Sequence, residues 1–299
     1  MDNIFILNSL IQLHVKRNKG KLYAAFIDFK SAFPSVSHQL LWEKLYHMGL
    51  SSKIINILKD LYRNAAVRVR GCEGMTDSIK ISKGVLQGET LSPLLFSLFI
   101  ADLESFLLSK NIRGVSVSHL KEIILLAYAD DLLLLADSYI GMVKLLRELH
   151  TYCQNNKLEI NFYKTEVVLF QKGGHGHKRK NAPFRCGEKI IKYTAEYTYL
   201  GIKFSQATSF EKASKQMCMK AQMAAASLSS LVFRIKLDSW DVLVKLFQSL
   251  VSSVLSYASP VYAIKHLNEL EKYAFIKRCW ISHKILQTMQ LESKLNQHT

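Results

Sequence analysis

Proline and glycine are scarce in this chain, with 4 and 13 among 299 residues, too few for a collagen-like or low-complexity disordered protein. Long apolar runs are missing as well. The longest, Ile123 to Ala129, is about seven residues, well short of the ~20 that a membrane-spanning helix needs, and no membrane partner is expected. The opening Met1-Asp2-Asn3 lacks the basic and apolar regions of a secretory signal. The five cysteines form no CxxC pair, which argues against a disulfide scaffold and a zinc ribbon and for a reducing intracellular compartment, nucleus or cytoplasm. Acidic residues are in short supply: 24 Asp and Glu face 40 Lys and Arg, for a net charge of +16. The deficit is uneven, with 15 acidic and 19 basic residues in 1–163 but 9 and 21 in 164–299. Such a basic half points to a polyanionic partner, nucleic acid first.

What is present is ample apolar material, 49% of the chain, in patterns that alternate between helix and strand. Residues 4–15 have helical spacing and end in a basic turn, Lys16 to Lys21. Leu22 to Phe29 reads as a short buried strand. Val36 to Met48 forms a helix stopped by Gly49, and Ser51-Ser52 caps another that runs to about Tyr62. Val67–Arg70 and Ser78–Ser82 suggest a hairpin. An apolar helix is expected over 91–108 and another helix over 139–156, with a strand at 166–170. Lys172 to Phe184 is a polar, glycine-rich loop. Strands at 189–193 and 197–204 are expected to pair with each other, and helices at 208–232, 239–256 and 266–286 complete the chain. The fold class is therefore α+β, with a boundary near 205: an α+β unit over 1–205 and a basic helical unit over 206–299.

The strongest local feature is Tyr128-Ala129-Asp130-Asp131 between two apolar runs. Two acids flanked this way fit the tip of a buried hairpin. The plain alternative is a solvated acidic turn. Asp28 also ends an apolar strand. Folding could bring it beside Asp130, although 102 residues separate them. Three carboxylates at one sheet edge make a hard oxygen site suited to Mg²⁺, and a pair of such ions suits nucleotidyl transfer. Because adjacent strand residues face opposite ways, Asp28 and Asp130 are expected to be the main ligands and Asp131 a secondary one unless the turn swings it inward. His175, His177 and Cys186 fit no common zinc spacing.

Several blocks resemble, in order, the reverse transcriptase of non-LTR (LINE-like) retrotransposons. Phe26-Ile27-Asp28-Phe29-Lys30-Ser31-Ala32-Phe33 resembles motif A. Gly84-Val85-Leu86-Gln87-Gly88 with Leu91-Ser92-Pro93-Leu94-Leu95-Phe96 resembles motif B, and Tyr128 to Asp131 motif C. Leu158 to Asn161 through Lys164-Thr165 resembles motif D. Tyr199-Leu200-Gly201 resembles the motif E primer grip, and Leu250 to Tyr257 the segment that follows the thumb. The resemblance implies a polymerase palm followed by a mostly helical thumb, and RNA-directed DNA polymerase activity with an RNA template, a DNA primer and dNTPs. It implies two Mg²⁺ ions, with Mn²⁺ as an alternative, on Asp28, Asp130 and Asp131. Phe29, Phe33, Gln87, Gly88 and Tyr128 would contact the dNTP, with Phe33 excluding a 2′-hydroxyl. Lys164 would give a proton to departing pyrophosphate, and Tyr199, Leu200 and Gly201 would grip the primer. Lys212, Lys215 and Lys220 would lie along the nucleic-acid backbone, although solvated surface lysines read the same way.

The chain departs from the family at Pro34, where an Asp is usual, and at Glu89. Only 27 residues precede Asp28, so the fingers are expected to be largely missing. Other parts of a longer polyprotein, upstream and downstream, are expected partners. A second reading follows: a catalytically inactive nucleic-acid-binding remnant of a retrotransposon.

Overall fold

The computed structural model describes residues 2–72, 74–86, 88–118, 121–172, 182–237 and 239–262. Gln87, His175, His177 and the expected helix at 266–286 lie outside the described residues. Two compact units form, one from Leu10 to Tyr197, the other joining the residues up to Ser9 to the chain from Thr198 onward.

Helix α1 (Asp2–Ile11) passes through a π-helical turn (Gln12–Arg17) into strand β1 (Lys21–Ile27). Three helices follow: α2 (Ala32–Ser35), α3 (His38–His47) and α4 (Ser52–Asn64). Gly49 ends α3 at φ +87°, a left-handed position that a side chain rarely adopts. Ser51 caps α4 by accepting the Ile54 N–H. The expected hairpin is a two-part ladder, β2 (Ala66–Val67) on β5 (Ile79–Lys80) and β3 (Arg70–Gly71) on β4 (Gly74–Met75).

The apolar stretch 92–109 is long and apolar enough by composition to cross a membrane. It is broken into α5 (Ser92–Phe99) and α6 (Leu103–Ser109), and Leu95, Phe96, Phe99, Leu103 and Leu107 are buried in the core. The single helix expected here is interrupted for a visible reason. The Leu103 N–H bonds the Ile100 carbonyl, which releases the Phe99 carbonyl to accept from Lys44 Nζ at 2.8 Å. The same ammonium meets Asp102 Oδ1 at 2.6 Å and the Tyr152 hydroxyl at 3.0 Å. Burial pushes Lys44 below its ordinary pKa, with Asp102 acting in the opposite direction.

The remaining strands and helices of this unit are β6 (Val115–Ser118), β7 (Lys121–Ile123), β8 (Leu125–Tyr128), β9 (Asp131–Ala136), α7 (Tyr139–Asn155), β10 (Glu166–Gln171), β11 (Phe184–Cys186) and β12 (Lys189–Thr194). Six strands make one sheet in the order β11-β12-β10-β1-β9-β8. β1 is antiparallel to both β9 and β10, and its residues Leu22 to Ile27 are all buried. Period-two alternation gives the sheet two faces. Tyr23, Ala25, Ile27, Leu132, Leu134 and Val167 pack into the helical core. Leu22, Ala24 and Phe26 occupy the opposite face, with Phe26 in register with Leu133 and Glu166.

One expected pairing is wrong. β12 lies parallel to β10 and antiparallel to β11, not against 197–204. That stretch folds on itself as β13 (Glu196–Tyr199) and β14 (Ile202–Ser205), because Leu200 and Gly201 take φ of +46° and +81° and close a two-residue turn.

In the second unit, α8 (Glu211–Ile235) is followed by α9 (Trp240–Phe247), a π-helical segment (Gln248–Ser252), α10 (Ser253–Ser256) and α11 (Ser259–Tyr262). Ala221, Ala225, Leu228 and Val232 of α8 pack on Leu243, Phe247, Val251 and Leu255. Sequence periodicity points to Ala224 and Leu231 as members of this stripe. Instead Ala224 is at its margin and Leu231 is exposed, since alternating steps of four and three from Ala221 lead to 225, 228 and 232.

The Lys44 junction ties α3, the α5–α6 break and α7 together. Asp102→Ala is expected to cost about 2 kcal/mol in urea denaturation, because the buried ammonium loses its counter-charge. Adding Lys44→Met should recover most of that loss.

Candidate active site

β8 and β9 form a hairpin in which Tyr128 pairs with Asp131, so Ala129 and Asp130 are its two-residue loop. Ala129 adopts φ +52°, a left-handed position uncommon for a residue with a Cβ. Both acids are at the tip, as the flanking apolar runs implied. β1 and β9 pair up to Ile27 opposite Leu132. One step further along that register, Asp28 lies opposite Asp131, on the face that carries Phe26. The alternation argument that ranked Asp130 above Asp131 therefore does not apply, since Asp130 belongs to the turn and Asp131 to the strand.

The electrostatics agree with this placement. The Asp131 carboxyl is pushed up from its ordinary value by desolvation first, then by repulsion from Asp130 and from Asp28. Among the described residues no three His, Cys, Asp or Glu side chains form a ready-made metal cage. The donor set is nevertheless the hard-oxygen kind that suits Mg²⁺, which commonly uses one or two carboxylates and takes its other ligands from water and substrate phosphates.

Asp28 is held by its backbone on both sides. Its N–H donates to Thr165 Oγ1 at 3.1 Å, and its carbonyl accepts from the Asn161 N–H at 2.8 Å. Lys30 N–H bonds the Glu159 carbonyl, and Phe29 bridges Ile160. The 158–165 segment is thus a clamp on the end of β1. It carries Lys164, whose side chain is exposed, one residue from Thr165.

Phe29 is buried, its ring 6.0 Å from that of Phe96. Its ring therefore belongs to the core. Phe33 is half-buried, 5.4 Å from the same ring, and its carbonyl accepts the Val85 N–H. Pro34 fits without loss because it lies in the first turn of α2, where an N–H has no helical partner. Gly84, at φ +90°, packs directly on it: a Cβ there would come within 2.8 Å of the Pro34 backbone. Gly88 also has positive φ, +93°, with open space around it. Tyr128 is exposed.

Sequence reasoning missed Tyr197 and Glu166. The Tyr197 ring stacks on Phe26 at 4.2 Å with 12° between planes. Its hydroxyl is pushed up to about 12 by desolvation and by the charges of Asp131, Asp28 and Glu166. Glu166, in register with Phe26, pairs with Lys192 at 3.5 Å. The aromatic two positions before Tyr199 was the available signal for Tyr197. Nothing local marked Glu166, because only strand pairing places it on this face.

In the second unit, Tyr199 is buried and accepts from Asn3 Nδ2 at 3.5 Å, so only the Leu200-Gly201 turn projects outward. The Tyr257 hydroxyl donates to the Leu200 carbonyl at 2.7 Å and steadies that turn. Lys212, Lys215 and Lys220 are exposed along α8, with Lys215 paired to Glu211 one turn earlier.

Removing one of the repelling charges should be visible in the metal-free protein. In Asp28→Asn, the Asp131 carboxyl should titrate closer to 3.8, followed by NMR. A raised folded-state pKa costs stability above that pKa, and the cost disappears as pH falls below the unfolded value. Asp28→Asn in EDTA should therefore melt roughly 1–3 °C higher at pH 7, with the gain shrinking toward acid pH.

A profile of the family described as reverse transcriptase (RNA-dependent DNA polymerase) matches residues 2–204. The Pol polyprotein of the type-1 retrotransposable element R2 from Popillia japonica is 31% identical over 214 residues, covering 69% of this chain and 34% of that protein. Its counterpart from Nasonia vitripennis is 29% identical over 210 residues, covering 68% and 20%. The RNA-directed DNA polymerase from mobile element jockey of Drosophila funebris is 25% identical over 279 residues, covering 88% and 29%. The chain thus spans between about a fifth and about a third of the length of these relatives. Apo telomerase from Candida tropicalis shares the fold across 88% of this chain and 45% of that one, with a TM-score of 0.50 at 14% identity. The chain belongs to the reverse transcriptase family, on its non-LTR retrotransposon branch.

Proposed function

We propose that this chain extends a DNA primer on an RNA template by nucleotidyl transfer from dNTPs. The observation that carries this reading is the register that sets Asp28 opposite Asp131, with Asp130 in the adjoining turn. Asp28, Asp130 and Asp131 are the residues that would hold divalent ions, and their mutual repulsion is what such cations relieve. Ions bound there supply activation of the primer 3′-hydroxyl and stabilisation of charge on the transferring phosphoryl group.

The protein's own groups do the rest. The end of β1 is fixed by Asn161 and Thr165, so Asp28 does not have to be ordered when substrate arrives. Phe33 is braced by Phe96 and by the hydrogen bond to Val85, which gives its ring a fixed edge against which a 2′-hydroxyl would collide. Lys164 carries an exposed, flexible ammonium suited to protonating departing pyrophosphate. The lysines of α8 give a row of positive charge for a nucleic-acid backbone, with affinity that falls as salt rises.

Primer extension on poly(rA)/oligo(dT) with Mg²⁺ tests this. The parent chain should incorporate dNTPs, and Asp130→Asn should lose at least about a hundredfold in rate. No incorporation by the parent chain, with duplex binding retained, would instead support a binding remnant. Phe33→Val should raise ribonucleotide incorporation relative to dNTPs by roughly tenfold or more. Replacing Lys212, Lys215 and Lys220 with Gln should lower the salt slope of duplex binding by about one for each lysine that meets a phosphate.

A further inference from the structure

Among the sequence blocks, Leu250 to Tyr257 is the one that the metal site leaves without a task. It belongs to one compact unit together with the Leu200-Gly201 turn and α8. That turn has an uneasy sequence. Both of its central residues take positive φ, +46° at Leu200 and +81° at Gly201. Hairpin turns of this kind favour Asn-Gly or Gly-Gly, because a Cβ in the left-handed region crowds the following carbonyl. Gly201 meets the demand and Leu200 does not. A leucine there favours other backbone conformations unless something outside the hairpin holds it.

Tyr257 supplies that hold. Its hydroxyl donates to the Leu200 carbonyl at 2.7 Å, and its ring edge lies 3.7 Å from the point where a Cβ of Gly201 would stand. One side chain thus touches both central residues of the turn. Tyr257 is itself fixed from behind. Its N–H bonds the Ser253 carbonyl and closes α10, and Ala258 after it is buried at φ +54°. The Tyr262 hydroxyl donates to the Leu255 carbonyl, while Leu255 and Val251 pack with the buried stripe of α8. Contacts therefore run without a gap from α8, through the π-helical segment and α10, to the Leu200 carbonyl.

We propose that Tyr257 is a positioning residue for the primer 3′ end: it keeps Leu200 in the left-handed conformation and ties the Leu200-Gly201 turn to α8. A duplex backbone along the exposed lysines of α8 and a primer end at the turn are then held at a fixed spacing. A hydrogen bond to a main-chain carbonyl suits this task, since it fixes the backbone of the turn and uses none of its outward edge. Naming the primer rests on the polymerase reading; the tie between Tyr257 and the turn does not. A tyrosine with a merely structural role would stabilise the fold and leave the choice between duplex ends untouched.

The test uses the full chain in EDTA. Anisotropy follows a labelled RNA–DNA duplex whose DNA strand has a recessed 3′ end, and the same duplex with the RNA overhang moved so that the recessed DNA end is 5′. The parent is compared with Tyr257→Phe, with Tyr262→Phe, and with Tyr257→Phe/Leu200→Asn. Tyr262→Phe removes a phenol hydroxyl from the same segment, one that bonds Leu255 and not the turn. The parent should prefer the 3′ end. Tyr257→Phe should lose roughly fivefold in affinity for that end, the usual effect of one hydrogen bond, and keep its affinity for the 5′ end. Tyr262→Phe should keep the parent preference even where its melting curve shifts down. Asparagine tolerates the left-handed region, so adding Leu200→Asn should recover about half of the lost preference or more. No end preference in the parent, an unchanged preference in Tyr257→Phe, an equal loss in Tyr262→Phe, or no recovery with Leu200→Asn overturns the proposal. Binding here needs no catalysis. Primer extension by the parent, with an end preference indifferent to Tyr257, would therefore sink the proposal and leave the polymerase reading standing; Tyr257-dependent end binding without extension would do the opposite.

Discussion

Carboxylates repel, so a protein that lines up Asp28 and Asp131 must hold them with something other than their own attraction. Here the force comes from β1. Its backbone is hydrogen-bonded on both edges, to β9 and to β10, and six of its seven residues are buried. Sliding β1 by one residue would turn Phe26 and Asp28 to the helical core and Ala25 and Ile27 to the opposite face, which would undo the packing of two buried faces and put a carboxylate in the apolar core. The acid pair is thus a by-product of a register that apolar side chains enforce. The Asp131 carboxyl is raised by desolvation first and then by the neighbouring charges of Asp130 and Asp28.

The same logic organises the surroundings. Clamping the end of β1 takes the backbone of 159–161 and the Thr165 hydroxyl, and the same segment then carries Lys164. Gly84 must be glycine to rest on Pro34, and its N–H and that of Val85 tie the second block to the first through Val36 and Phe33. Blocks far apart in sequence are therefore joined largely by main-chain bonds.

Some of this was legible from the residues. Two apolar runs around Asp130-Asp131 announced a hairpin, because an apolar strand cannot end on two acids unless the chain turns there. Ser51 and Gly49 marked helix ends through their own backbone chemistry. The α5–α6 break was not legible, since it depends on Lys44 reaching a carbonyl 55 residues away. Nor was the partner of β12: the run 189–193 alternates as well beside one strand as another. Tyr197 looked like an ordinary strand residue until Phe26 was placed beneath it.

The sequence by itself determined the family, the acids and the local ends of helices and turns, because these rest on residue chemistry and short-range periodicity. Which acids face each other and which aromatic lies on the acidic face were decided only by tertiary structure. Those relations are set by strand order and register, and these in turn depend on burial summed over the whole sheet, which no single segment encodes.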